Sequence, residues 1–150
     1  MRAVSNYLQR EAEAAEPFGA LFTVYGKPQP QGSAKAFFVK SLGRPVITSD
    51  NAKLKPWRQQ LSGTAESLGI APAAREVPIA VMLDFYFEKP KAAPKRRRKP
   101  IVKPDIDKLV RAVLDALTGT LIGDDAQVVD IHARKHYGLP ERVEIEIGEL

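Results

Sequence analysis

The sequence predicts an α+β protein, α/β-like in its alternation: a single domain in which a mixed β-sheet packs with two main helices. Three observations carry this. The chain has 150 residues, about one domain's worth. Hydrophobic residues make up 44% and charged residues 27%, close to the globular average, so a real core can be buried and wholesale disorder is excluded. Segments of helical periodicity and runs of β-branched and aromatic residues are mixed along the one chain.

Taken in order, residues 1–16 are rich in helix formers, with Val4, Leu8 and Ala12 on one face, and stop before Pro17. They read as a helical leader, residues 1–17, ahead of a domain at 18–150. Phe18 to Tyr25 predicts a first strand, which runs into the breaker-rich loop Gly26 to Ser33. Ala36 to Lys40 and Arg44 to Thr48, split by Ser41-Leu42-Gly43, predict a hairpin. Ser49 or Asp50 can cap a helix from about Asn51 to Leu68, ended by Gly69, with Pro56 placing the start of its regular part. Trp57, Leu61, Ala65 and Leu68 recur at helical spacing and should face the core.

Val77 to Glu88 has the length and composition of a central buried strand. The prolines and like charges of Lys89 to Lys103 cannot pack, and predict a mobile basic loop. Beyond it, Ile106, Leu109, Val110, Val113, Leu114 and Leu117 trace an amphipathic helix that Pro104 opens and Gly119 closes. Two last strands are expected at about Gln127 to Arg134 and Glu141 to Ile147.

Charge divides the chain more sharply than hydropathy does. A formal charge of +5 and an isoelectric point near 9.5 point to a polyanionic partner, nucleic acid first. From Lys89 to Lys103 there are eight basic residues and no acid; from Pro104 to Asp130 there are six aspartates against Lys108 and Arg111. A strongly basic segment therefore abuts an aspartate-rich one. The absence of cysteine excludes a disulfide scaffold, a thiolate zinc site and a cysteine nucleophile, and fits a reducing cytosol. No stretch approaches the roughly 18 apolar residues of a membrane span, and the first residues lack a signal peptide's apolar region. A soluble, cytoplasmic protein with no membrane partner is expected.

The aspartates occur as Lys103-Pro-Asp-Ile-Asp-Lys-Leu-Val-Arg111 and, one helix later, Gly123-Asp-Asp-Ala-Gln127. Asp105 at the helix N-cap and Asp107 in its first turn are explained well by capping and by the helix dipole alone. Asp124 and Asp125 after a glycine fit an ordinary turn. Three or four such carboxylates together would instead make a hard-oxygen site for Mg²⁺ or Mn²⁺, and a basic loop delivering a polyanion beside it would make metal-dependent phosphodiester hydrolysis the natural chemistry. A helix of about 14 residues rises about 21 Å, so convergence of the two pairs depends on how far the next strand runs back.

The run KPDIDKLVRAVLDALTGTLIGDDAQVVDIHARK, residues 103–135, strongly resembles the RusA family of Holliday junction resolvases, and the similarity extends over roughly residues 20–147. The resemblance rests on PDID and GDDAQV with the intervening LDALTG. It implies a homodimeric, Mg²⁺-dependent endodeoxyribonuclease, with Mn²⁺ as a substitute ion and no small-molecule cofactor. Such an enzyme nicks four-way junction DNA symmetrically in recombination and repair, in a bacterial or prophage setting. It places Asp105, Asp107 and Asp125 at the family's metal-binding aspartates and Asp124 beside them as a supporting acid. Where many members have asparagine this chain has Lys108, and where they have a functional lysine it has Arg111. Arginine keeps the charge and grips phosphate in a fork but is a poor proton donor, and Lys108 is placed to share the role. Lys135 matches a basic position after the last motif, which assigns it a site or DNA-contact role.

For the basic block, phosphate contact by Lys95, Arg96, Arg97, Arg98, Lys99 and Lys103 gives affinity with little sequence choice. Lys27 and Lys35, on the early loop, are further DNA candidates, evenly balanced against plain loop lysines. Phe37 and Phe38 suit a wedge between bases, but a strand with one inward and one edge aromatic accounts for them better. His132 and His136 are about 13 Å apart on a strand, too far to share an ion, and read as surface residues. Asp84 reads as buried and hydrogen-bonded, Trp57 as core. Two rival functions remain: a non-catalytic DNA-binding protein whose aspartates only cap and turn, and a metal-dependent nuclease acting on forks or flaps.

Overall fold

The computed structural model describes residues 17–32, 34–49 and 51–150. The helix expected over residues 1–16 lies outside them. Strands β1 (Gly19–Tyr25), β2 (Ala34–Val39) and β3 (Arg44–Ser49) precede helix α1 (Leu54–Ser67). Strand β4 (Ile79–Phe87), helix α2 (Ile106–Leu117), a 3₁₀ turn (Asp125–Gln127), β5 (Val128–Tyr137) and β6 (Arg142–Glu149) follow. The architecture is α+β, as expected, but the strands divide between two sheets. Four form a mixed sheet in the order β1-β6-β4-β5, and β2 with β3 forms a separate two-stranded ribbon.

Within the main sheet, β6 pairs antiparallel with both β1 and β4, whereas β4 and β5 run parallel. Alternation then sorts the side chains. Val81, Leu83 and Phe85 of β4 and Val143, Ile145 and Ile147 of β6 point to one face. There they meet Trp57, Leu61 and Ala65 of α1 and Leu109, Val113 and Leu117 of α2 in a single core. The even-numbered side chains of β4, Met82, Asp84 and Tyr86, occupy the other face beside Arg142, Glu144 and Glu146 of β6.

Helix α1 starts three residues later than its sequence suggests. Its N-cap is Lys53, and the Asn51 side chain accepts from the Lys53 N–H at 3.1 Å. Pro56 then sits in the first turn, where a missing N–H costs nothing. The helix closes at Gly69, whose φ of +67° suits glycine and whose N–H bonds to the Glu66 carbonyl. Helix α2 has the bounds its periodicity predicts. Strand β5 continues past Arg134 to Tyr137, so His136 lies in the ladder opposite Tyr86.

Three expectations are corrected. Leu68, expected to face the core with Trp57, Leu61 and Ala65, is exposed just past the last turn of α1. Phe37 and Phe38 do not divide into an inward and an edge aromatic: they are 51% and 64% exposed, because the ribbon has no sheet or core beneath it. Nor is His136 a surface residue. Its Nε2 lies 2.7 Å from Oδ1 of Asp84, its ring stacks on Tyr86 with centroids 4.9 Å apart, and its Nδ1 is 2.9 Å from Nζ of Lys99. His132 is the exposed one, pairing with Asp130 at 3.3 Å. Asp84 is buried and hydrogen-bonded, as expected, also accepting from Nε of Arg134 at 3.1 Å.

The candidate active cleft

The site is assembled on the connection between β4 and β5. The stretch expected to be a mobile loop, Lys89 to Lys103, is a chain of hydrogen-bonded turns: Ala93 N–H to the Pro90 carbonyl, Arg97 N–H to Pro94, Ile101 N–H to Lys99. Nζ of Lys89 caps the carbonyl of Lys95, and Pro100 is buried. Lys95, Arg96 and Arg98 are left exposed, a concentrated positive face that gains from any phosphate brought to it. Lys99 is instead committed to His136. Since an ammonium only donates, Nδ1 of His136 accepts from it, and Nε2–H donates to the buried Asp84 carboxylate. The last third of the basic segment is thereby tied to the sheet.

A second tie follows a few residues on, where Nζ of Lys135 donates to the carbonyls of Val102 and Pro104 at 2.7 and 2.8 Å. Burial holds the Lys135 pKa below the usual lysine value, against the opposing pull of the Asp105 carboxylate nearby. Lys135 thus fixes the backbone that leads into α2, and with it the placement of Asp105.

Asp105 is the N-cap of α2 in extended conformation (φ −71°, ψ 139°), and its carbonyl accepts from Leu109 N–H at 3.1 Å. Its carboxylate makes no capping hydrogen bond. The capping explanation for this residue therefore fails at the side chain, which remains exposed at the positive end of the helix. Asp107, in the first turn, is exposed as well.

Opposite this helix end lies the early breaker-rich loop. It turns at Gly26, where φ is +134° and a side chain would press on Trp57, and it is then strapped down at several points. Gln31 N–H donates to the Lys108 carbonyl at 2.9 Å, and Asn51 Nδ2 donates to the Pro30 carbonyl at 2.9 Å. Between loop and helix is a cleft of about 370 Å³, lined among others by Lys27, Gln31, Asn51, Lys103, Asp105 and Lys108. Three lysines and a carboxylate freed from capping thus share one concave surface.

The second aspartate pair is elsewhere. Asp124 caps the 3₁₀ turn, its Oδ1 accepting from Ala126 N–H at 3.0 Å. That bond, and then the neighbouring Asp125 side chain, hold its carboxyl below the usual carboxylate range. Gln127 completes the turn from inside: Oε1 accepts from the N–H groups of Gly123 and Asp124, and Nε2 donates to the carbonyls of Ala74 and Val77. A Cβ on Gly123 would lie 2.8 Å from the Ala73 carbonyl oxygen, so only glycine fits there.

This turn stands at the far end of α2 from Asp105. β5 does run back along the helix, but it begins at the turn and reaches the Asp105 end only at Lys135, seven residues or roughly 23 Å further on. Asp125 is exposed, and among the described residues no three His, Asp or Glu side chains are placed to hold one metal ion. Arg111 is exposed on α2, one turn beyond Asp107.

Asn51, Gln127 and the Asp84–His136–Lys99 relay were not singled out by sequence as tethers of the site. Only Gln127 carried a local signal, three residues after Asp124 as a capping box requires.

Fold and cleft together define a small α+β domain with a basic cleft that holds an uncapped carboxylate. Residues 26–148 match the family model described as Endodeoxyribonuclease RusA, and the chain belongs to that family of Holliday junction-resolving endonucleases. It is also 33% identical over 138 residues to uncharacterized protein YqaN of Bacillus subtilis (strain 168), covering 86% of this chain and 95% of that one.

Proposed function

We propose that this protein is a Mg²⁺-dependent endodeoxyribonuclease that resolves four-way DNA junctions as a homodimer, by one nick from each copy. The observation that carries the reading is Asp105: an exposed carboxylate at a helix N-terminus, unused for capping, in a cleft whose other charged lining residues are Lys27, Lys103 and Lys108. A purely structural aspartate at that position would be spent on the helix's own N–H groups.

The donor chemistry fits the ion, since exposed carboxylates are what a hard cation such as Mg²⁺ takes, with Mn²⁺ as substitute. Asp105 and Asp107 would hold it from one chain. Bound there, the ion supplies a lowered pKa for attacking water and charge stabilisation at the scissile phosphate. Lys27, Lys103 and Lys108 draw the phosphodiester into the cleft and neutralise its oxygens, and Arg111 grips a neighbouring phosphate. The turns carrying Lys95, Arg96, Arg97 and Arg98 hold the arms of the DNA through phosphate contacts.

Asp125, a helix length away, would serve the site from a second copy. In a two-fold pair that brings the Gly123–Gln127 turn of one chain to the α2 start of the other, three carboxylates would be available at each of two equivalent sites. Asp124 then orients Asp125 while capping its turn.

The deciding assay presents labelled four-way junction, Y-fork, nicked duplex and single strand, with and without Mg²⁺, to wild type and Asp107→Asn. The expected result is preferential paired cutting of the junction with Mg²⁺, and a loss of roughly a thousandfold or more in the variant with junction binding kept. Equal cutting of duplex, or an active variant, defeats the proposal. Preferential fork cutting on one strand would favour the fork nuclease instead.

A further inference from the structure

The β2–β3 ribbon takes no part in the site described above, and its chemistry is unusual for a solvated arm. Phe37 and Phe38 are sequence neighbours and so point to opposite faces of the ribbon, yet both are more than half exposed. Ile47 and Leu42 are 74% and 55% exposed. A two-stranded ribbon with apolar groups bare on both faces is marginal in water by itself and needs something to cover it. The ribbon's charge and position indicate what that is. Ala34 to Ser49 contains Lys35, Lys40 and Arg44 and no acidic residue, a net +3. The ribbon is also rooted in the candidate cleft: Gln31 and Gly32, where the chain leaves, and Asn51, where it returns, all line the cavity that holds Asp105 and Lys108. A six-residue strand reaches about 20 Å from that root.

We propose that the β2–β3 ribbon is a base-stacking arm: it extends from the Asp105 cleft and places Phe37 and Phe38 against bases unstacked beside the phosphate to be cut. The inference rests on the four-way-junction reading and names the device that opens the junction. A two-stranded ribbon fits the wide groove of DNA, aromatic faces stack on any base without reading sequence, and the cations at the tip meet the flanking phosphates. Bases at a branch point are the cheapest to unstack because their neighbours are already interrupted.

The test uses a four-way junction with 2-aminopurine at the branch point, bound by the full chain without Mg²⁺ so that nothing is cut. Wild type is expected to raise the emission several-fold as the base unstacks. Phe37→Ala/Phe38→Ala should remove most of that rise and weaken junction binding about tenfold or more, with duplex binding unchanged. Phe37→Trp/Phe38→Trp should restore both. Since these side chains are exposed, the variants are expected to fold, which circular dichroism checks. If emission rises equally with the alanine variant, the inference fails while the resolvase reading stands. A change in oligomeric state of that variant by light scattering, without DNA, would assign the ribbon to a second copy and overturn the proposal. Failure of wild type to bind the junction would overturn both.

Discussion

Single side chains decide how this site is built, and Lys135 is the clearest case. It touches neither the exposed face of the basic turns nor the cleft's lysines, but it holds two carbonyls of the segment that positions Asp105. Lys135→Met keeps the stem and removes the donors, so the Val102 and Pro104 carbonyls lose a charged partner. The expected cost is about 2 kcal/mol of stability, by chemical denaturation. Cleavage should fall further than KM rises, because the carboxylate and not the DNA grip is displaced; hydrogen exchange at residues 105–109 should quicken. A side chain acting as a plain DNA contact would instead raise KM and leave exchange unchanged. The identity of Lys135 as a tether could not be read locally. Its partners are 31 and 33 residues away and are backbone atoms, which carry no sequence signature. The same holds for His136, where alternation on an edge strand predicts exposure until the parallel pairing places Asp84 and Tyr86 beside it.

At the level of elements, helix α2 was legible to the residue because its apolar stripe is complete and both its ends carry stop signals. The ribbon was legible as two strands, but not as strands apart from the sheet: alternation describes a strand and is silent about what lies beneath it. The 3₁₀ turn depends on an interior amide. Gln127 is buried and engages four backbone groups, two within the turn and two in the segment before β4. Gln127→Leu conserves bulk but orphans all four, and should destabilise the protein by about 3 kcal/mol or more. Thermal or urea unfolding checks this. A neutral result would mean that the turn is not fixed from inside, and that the position of Asp125 has some other cause.

Across the whole molecule, the separation of Asp125 from Asp105 and Asp107 is the main point on which the sequence was silent, since residues 103–127 do not say in which direction β5 returns. If each site is shared between copies, two dead variants can rescue one another. In a mixed dimer of Asp107→Asn and Asp125→Asn, one site carries both changes and the other carries neither. An equal, exchanged mixture should recover about a quarter of wild-type nicking, from half of the dimers with one intact site each. The products should be singly nicked junctions, not resolved duplexes. Sites confined to single chains predict no recovery at all. The parallel pairing of β4 with β5 has a wider consequence. A parallel pair cannot be joined by a tight turn; its connection must travel the length of the sheet, and a helix alone is enough for that. Here the basic turns are additional chain threaded ahead of α2 in a link the topology already demands. Ahead of the ties at Lys99, Val102 and Pro104, the turns from Pro90 to Arg98 can therefore change in length and charge with little effect on the strands on either side, so that the hold on DNA can be retuned while the fold and the placement of Asp105 stay as they are.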